Sequence, residues 1–215
     1  MLLAFCLGLM LTSVWVGPWP ATYQQLAGIA LVLMLLGIAD DLWSLSVRLR
    51  FAIYGISCLA AVSLLVTLPV TGNASLDALL VVAAAVAMLW LVNLYNFMDG
   101  IDGIAAIQCL LACTAAAFLA LQGGGRDYAM FCLLLAASQL GFLLWNWPPA
   151  RLFMGDAGSI PTGFLLAGLA LAGASQSGPG LACWSILLAV FITDTSWTLL
   201  WRIISRQAFT RPHRL

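Results

Sequence analysis

An all-α bundle of about eight membrane-spanning helices is predicted by three observations. The 215-residue chain is 64% hydrophobic and only 7% charged, with a mean hydropathy of +1.07. An ordinary soluble domain is about 45–50% apolar and about 25% charged. Apolar runs of near-spanning length recur along the whole chain, separated by short connectors rich in Gly, Pro and Ser. Seven of the eight basic residues fall on connectors that alternate to one side. Soluble enzymes, disordered tails and nucleic-acid binders are excluded on composition, and the lipid bilayer is the expected surrounding.

The runs lie at about 1–16, 23–39, 51–70, 76–94, 103–121, 128–145, 158–175 and 180–201. The first lacks a basic leader segment, so it reads as a span and not as a cleaved signal peptide. Turn chemistry at Gly17-Pro18-Trp19-Pro20, between Pro69 and Ser75, between Gln122 and Asp127, and between Ser175 and Gly180 ends one span and begins the next. No soluble domain interrupts the series, so 1–215 reads as a single membrane domain. Trp15, Trp19, Trp43, Trp145, Trp147 and Trp201 fall near span ends, where indole rings favour the interface. Cys6, Cys58, Cys109, Cys113, Cys132 and Cys183 sit inside apolar runs without a CxxC pair, which reads as small buried hydrophobes.

Orientation follows from arginine. Arg48, Arg50, Arg151, Arg202, Arg206, Arg211 and Arg214 share one side, and Arg126 lies on the other; the Arg-rich side is expected to be cytoplasmic. Asp40, Asp41, Asp99, Asp102 and Asp156 gather at span ends on that same side. Asp194 lies in the last span, towards the same end, while Asp77 and Asp127 are in loops on the far side. There is no Lys and no Glu in the chain. Short acids suit fixed metal or phosphate geometry, although compositional bias gives the same skew.

Three segments carry the chemistry. The first, Gly37 to Ser46, holds the adjacent carboxylates Asp40 and Asp41, which repel unless a cation or basic group stands between them. Oxygen-only ligands suit a hard ion such as Mg²⁺, which keeps waters and bridges carboxylates to phosphates. The second, Asn93-Leu94-Tyr95-Asn96-Phe97-Met98-Asp99-Gly100-Ile101-Asp102-Gly103, spaces Asn93 from Asn96 and Asp99 from Asp102 by one helical turn. Asn offers a donor and an acceptor to a sugar, a base or a phosphate-bound water. The third runs from Asn146 through Pro148-Pro149 and Arg151 to Gly155-Asp156-Ala157-Gly158-Ser159. A Gly-rich turn entering a helix presents backbone N–H groups to phosphate, and Arg151 adds a charged donor. Phe153 suits either nucleobase stacking or an interfacial aromatic position.

These three segments, in this order, resemble the polyprenyl-phosphate N-acetylhexosamine-1-phosphate transferase superfamily. The likeness runs from about Leu26 to the C-terminus, and the Pro148 to Ser159 wording resembles the O-antigen branch. The resemblance implies Mg²⁺-dependent transfer (Mn²⁺ as a substitute) of a sugar-1-phosphate from a UDP-sugar to undecaprenyl phosphate, releasing UMP. The setting implied is the bacterial plasma membrane, with a cytoplasmic active-site cleft, and a homodimer is allowed. Asp40, Asp41, Asp99 and Asp156 match catalytic positions, with Asp156, Asp41 and Asp99 as metal ligands. Asn96, Asp102, Asn146 and the lone histidine His213 match substrate-binding positions, and Asn93, Arg151, Phe153 and Gly155 join them as substrate-binding candidates on the side-chain and turn chemistry above. Both direct attack and a covalent aspartyl-phosphate route fit the pattern. The family usually has ten or eleven spans, so the chain is expected to be the core of a longer domain, lacking segments at both ends. A secondary transporter with Asp-based cation coupling, and an inactive fragment, are the alternatives.

Overall fold

The structure is a computed structural model that describes residues 1–173 and 175–205. It is all-helical among the described residues: α1 (Leu2–Val16), α2 (Ala21–Trp43), α3 (Val47–Leu65), α4 (Ala74–Met98), α5 (Ile104–Gln122), α6 (Arg126–Asn146), α7 (Asp156–Ala172), α8 (Leu181–Leu187) and α9 (Ala189–Ile204). Every run expected to span is helical, and the protein is a polytopic helical membrane bundle. Five helices, α2 to α6, are long and apolar enough to cross a membrane by themselves. The run at 180–201 is broken into α8 and α9, which meet at 68° and are long and apolar enough to count as a sixth span if taken as one broken helix. The runs at 1–16 and 158–175 form helices of only 15 and 17 residues. At 1.5 Å per residue they reach about 22–26 Å, short of a hydrocarbon layer of about 30 Å.

Side-chain caps set several boundaries that hydropathy alone leaves loose. Ser46 accepts from the Leu49 N–H at 3.3 Å and starts α3 four residues earlier than its apolar run suggests. Asn73 accepts from the N–H groups of Ser75 and Leu76 and starts α4. Gly103, at φ 75, supplies the left-handed turn that opens α5.

The centre of the bundle is α7. Residues 158–170 are all buried, enclosed chiefly by α2 and α4. A helix that is apolar on every side needs such enclosure or lipid around it. Small residues allow the close approach: a Cβ on Gly163 would lie 2.9 Å from Tyr95 Cβ, and one on Gly168 3.1 Å from Leu26 Cδ2. Along α5, Ala105, Cys109, Ala112, Cys113, Ala116 and Ala120 form a buried stripe that seats the helix on α6. Cys58, Cys109, Cys113 and Cys132 are buried as expected, and Cys6 and Cys183 are half-buried. Trp15, Trp43, Trp145, Trp147 and Trp201 are exposed near helix ends. Trp19 instead turns inward, its Nε1–H shared between the Leu9 carbonyl and Thr12, both at 3.1 Å.

Candidate active site at one end of the bundle

Four connectors or helix ends meet where α7 begins. The last turn of α2 carries Asp40, and Ser44, at φ 49, ends the helix by donating its N–H to the Asp40 carbonyl at 2.8 Å. The Asp40 carboxylate takes the next free donor, the Leu45 N–H, at 2.8 Å. This tight exit, followed by the Ser46 cap, sets Arg50 one turn into α3 and facing back. Its Nη1 pairs with Asp40 Oδ2 and, across the bundle, with Asp156 Oδ2 at 3.1 Å. One guanidinium therefore ties α2, α3 and α7 together. The side chains of Arg50, Asp40 and Asp156 are 25%, 12% and 24% exposed, so this pair of bridges is largely sheltered.

The end of α4 supplies Asn96 and Asp99. Asn96 donates from Nδ2 to Asp156 Oδ1 at 3.2 Å and accepts from Ser159 Oγ at 3.2 Å. Asp99 caps the helix. Burial first, and the Asp156 charge second, push the Asp99 carboxyl up to about 7, while the Gly155 backbone N–H works the other way. Gly155, at φ 61, opens α7 and brings its backbone against the acids. A Cβ there would stand 3.7 Å from Asp41 Oδ2, so Asp41 borders the same cleft from its exposed position. Asp156 occupies the first turn of α7, where a helix dipole favours negative charge. Gly37 allows α2 to lie against this turn, since a Cβ on it would come within 2.5 Å of the Ala157 backbone.

Asp102 and Asn146 hydrogen-bond to backbone across two loops. Asp102 accepts from the Ala150 N–H at 2.9 Å. Asn146 accepts from the Gly103 N–H and donates to the Leu152 carbonyl, both at 2.9 Å. Together they lock the α4–α5 loop to the α6–α7 loop, and the Asn146 amide is committed to backbone. Asn93 donates to Leu89 in its own helix at 2.8 Å and lines a groove of about 350 Å³ with Phe51, Trp90, Phe97 and Thr195. Arg151 and Phe153 stand exposed on the α6–α7 loop, Phe153 at 69%. His213 lies outside the described residues. The sequence reading gave Arg50 only as a topological charge and Ser159 only as a letter in a turn. The signal that finds Arg50 is its place one turn after a capped exit from Asp40.

Asp99 and Asp156, with Asn96 beside them, are the oxygen donors best arranged for a hard cation. Among the described residues no three His, Cys, Asp or Glu side chains form a ready metal cage. Mg²⁺ needs none, because it takes one or two carboxylates and keeps waters or phosphate oxygens. Asp99 stands close enough to Asp156 to feel its charge, and Asn96 orients the Asp156 carboxylate, so these side chains would be the ones to hold such an ion. These acids stand at helix ends, whereas transporter sites lie near mid-membrane on broken helices. The broken pair α8–α9 contributes none of the hydrogen bonds above.

The sequence profile described as glycosyl transferase family 4 matches residues 23–174, which include Asp40, Asp41, Arg50, Asn96, Asp99, Asp156 and Ser159. The chain belongs to glycosyl transferase family 4. That membership agrees with the resemblance drawn from the three motifs. The chain is 32% identical to a Bacillus subtilis protein named "Probable undecaprenyl-phosphate N-acetylglucosaminyl 1-phosphate transferase", over 86% of this chain and 54% of that one. It is 28% identical to a phospho-N-acetylmuramoyl-pentapeptide-transferase of Lacticaseibacillus paracasei, over 92% of this chain and 66% of the relative. A protein of the same name from Lactiplantibacillus plantarum is 29% identical over 79% of this chain and 59% of its own length. The chain thus spans between half and two thirds of these relatives in the family.

Proposed function

We propose that this chain carries the catalytic core of a Mg²⁺-dependent transferase. It moves an N-acetylhexosamine-type sugar-1-phosphate from a UDP-sugar to undecaprenyl phosphate, with UMP leaving. The observation that carries this reading is the meeting of Asn96 and Asp99 at Asp156, with Arg50 bridging Asp156 to Asp40, at one end of an apolar bundle. An acceptor whose tail lies in the bilayer and a donor dissolved in water have to meet at such an end. The named relatives, with their polyprenyl-phosphate or phospho-sugar chemistry, support the substrate classes.

An acceptor phosphate oxygen attacks the sugar-bearing phosphorus of the donor, and the bond to the UMP oxygen breaks. Such a transfer demands alignment and charge compensation more than covalent help from protein. When bound at Asp99 and Asp156, Mg²⁺ supplies positive charge to the phosphate oxygens. Asn96 holds Asp156 in orientation, and the Gly155–Ser159 turn offers backbone to a phosphate. Asp40 and Asp41 stand where the acceptor phosphate arrives, to orient it or take its proton. The site faces the cytoplasm in this proposal, supported by Arg48, Arg50 and Arg151 at its end and Arg126 at the other. The product is the first lipid-linked intermediate of a cell-envelope glycan, with the O-antigen type included.

The test is radiolabel transfer from a panel of UDP-N-acetylhexosamines to undecaprenyl phosphate by detergent-solubilised protein. Product with one donor, abolished by chelation, is expected. No product with any donor, or transfer indifferent to chelation, overturns the proposal.

A further inference from the structure

Arg50 is used in an unusual way. A guanidinium normally meets carboxylates through two parallel N–H donors. Here one nitrogen, Nη1, serves both Asp40 and Asp156, while the buried Nε has no partner. Half of a rigid fork is thereby left without an acceptor in a sheltered place. The same guanidinium stands between the two carboxylates, where it offsets their repulsion in the way a bound cation does. Only one positive group takes part in these bridges, against four neighbouring acids: Asp40, Asp41, Asp99 and Asp156. One more positive ion improves this balance, and a phosphate arriving with it gives the spare N–H donors an acceptor.

We propose that Arg50 is a positioning residue that stands in for the divalent cation. It holds Asp40 and Asp156 together in the metal-free protein, releases Asp156 when the cation binds, and turns its spare N–H donors to the incoming phosphate. This inference rests on the reading of Asp156 as a metal ligand. It makes binding of the ion and capture of the phosphate one exchange of partners, with no bond formed or broken covalently.

The test measures Mn²⁺ binding to metal-free, detergent-solubilised protein by electron paramagnetic resonance, in wild type, Arg50→Gln and Asp156→Asn. Removing a competing positive charge is expected to tighten Mn²⁺ in Arg50→Gln by roughly tenfold. The same variant is expected to melt lower without metal, to gain more from added Mg²⁺ than wild type, and to lose kcat, with Arg50→Lys partly restoring it. Equal or weaker Mn²⁺ binding in Arg50→Gln overturns the inference. Asp156→Asn separates the two levels: unaffected Mn²⁺ binding there rejects the metal reading itself. Loss of binding in Asp156→Asn without tightening in Arg50→Gln rejects the role of Arg50 alone. If Arg50→Gln does not fold, phenylglyoxal labelling of Arg50 in wild type decides, read by peptide mass spectrometry. Labelling is expected to rise when Mg²⁺ is added, and unchanged or reduced labelling overturns the inference.

Discussion

The two ends of α7 are built on opposite plans. At its far end the chain closes on itself: the Gly178 N–H donates to the Gly173 carbonyl at 2.7 Å, and Ser177 lies against Gly125. Tyr128 donates to the Leu169 carbonyl at 2.8 Å and accepts from Trp184 Nε1 at 2.9 Å, joining α6, α7 and α8. These groups find matched partners within the protein. At the near end, Arg50 bridges Asp40 and Asp156, Asp99 stands beside Asp156 with no basic partner among the described residues, and a guanidinium N–H stays unmatched. One helix thus has an end tied down by these paired groups and an end where several acids share one bridging guanidinium, the end to which the proposal assigns ions and phosphates. Departures from local consistency are expected where function resides.

The largest way to break this contrast is Asp156→Asn. Transfer is expected to fall by roughly a thousandfold or more, with membrane insertion unchanged, because cation binding and Arg50 pairing both fail. Comparable transfer rates in the variant would falsify the role given to the near end. Gly37→Ala comes next. Its Cβ meets the Ala157 backbone at 2.5 Å, and backbone cannot swing aside as a flexible side chain does. Such overpacking is expected to cost about 2 kcal/mol and to displace the first turn of α7, lowering both Tm and transfer. A variant with wild-type Tm and rate would show that α2 can slide.

Tyr128→Phe probes the satisfied end. It removes a donor from the Leu169 carbonyl and an acceptor from Trp184, for about 1–2 kcal/mol. Tm should fall while the rate per folded molecule stays at the wild-type value. A loss of rate at constant Tm would mean that the ends are coupled.

The subtlest prediction is a gain. With its folded carboxyl at about 7 and an unfolded value near 4, Asp99 weakens the metal-free protein as pH rises. The loss begins above about 4 and is complete above about 7. Asp99→Asn removes it, so the variant's Tm advantage without metal should grow across that interval and then level off. Saturating Mg²⁺ should reverse the order, since wild type alone keeps the ligand. A variant that melts below wild type without metal at pH 8 would contradict the strained-carboxylate account.

Much of this was legible in the chain itself. Hydropathy is a local property; it located eight apolar runs that prove helical, the last of them as two helices, and put Asp40, Asp99 and Asp156 at their ends. The charge pattern joined those ends to the Arg-rich side. Motif wording led to the family that the profile comparison then gave. Other features were invisible because they depend on how helices cross. That Asp102 and Asn146 tie two loops together through backbone N–H and carbonyl groups is visible only once those loops are brought side by side. Trp19 looks like an interfacial anchor until α1 offers it a carbonyl. The break between α8 and α9 lies inside one unbroken apolar run.

By itself, then, the sequence determined that the chain is a helical membrane bundle, where its polar ends lie and which chemistry they resemble. Tertiary structure alone decided that α7 is the wholly enclosed helix and that Arg50 reaches Asp156 across the bundle. It also decided which acids share that charge. Helix formation follows from apolar patterning within a few turns, whereas an ion pair between residues 50 and 156 exists only after several helices have packed.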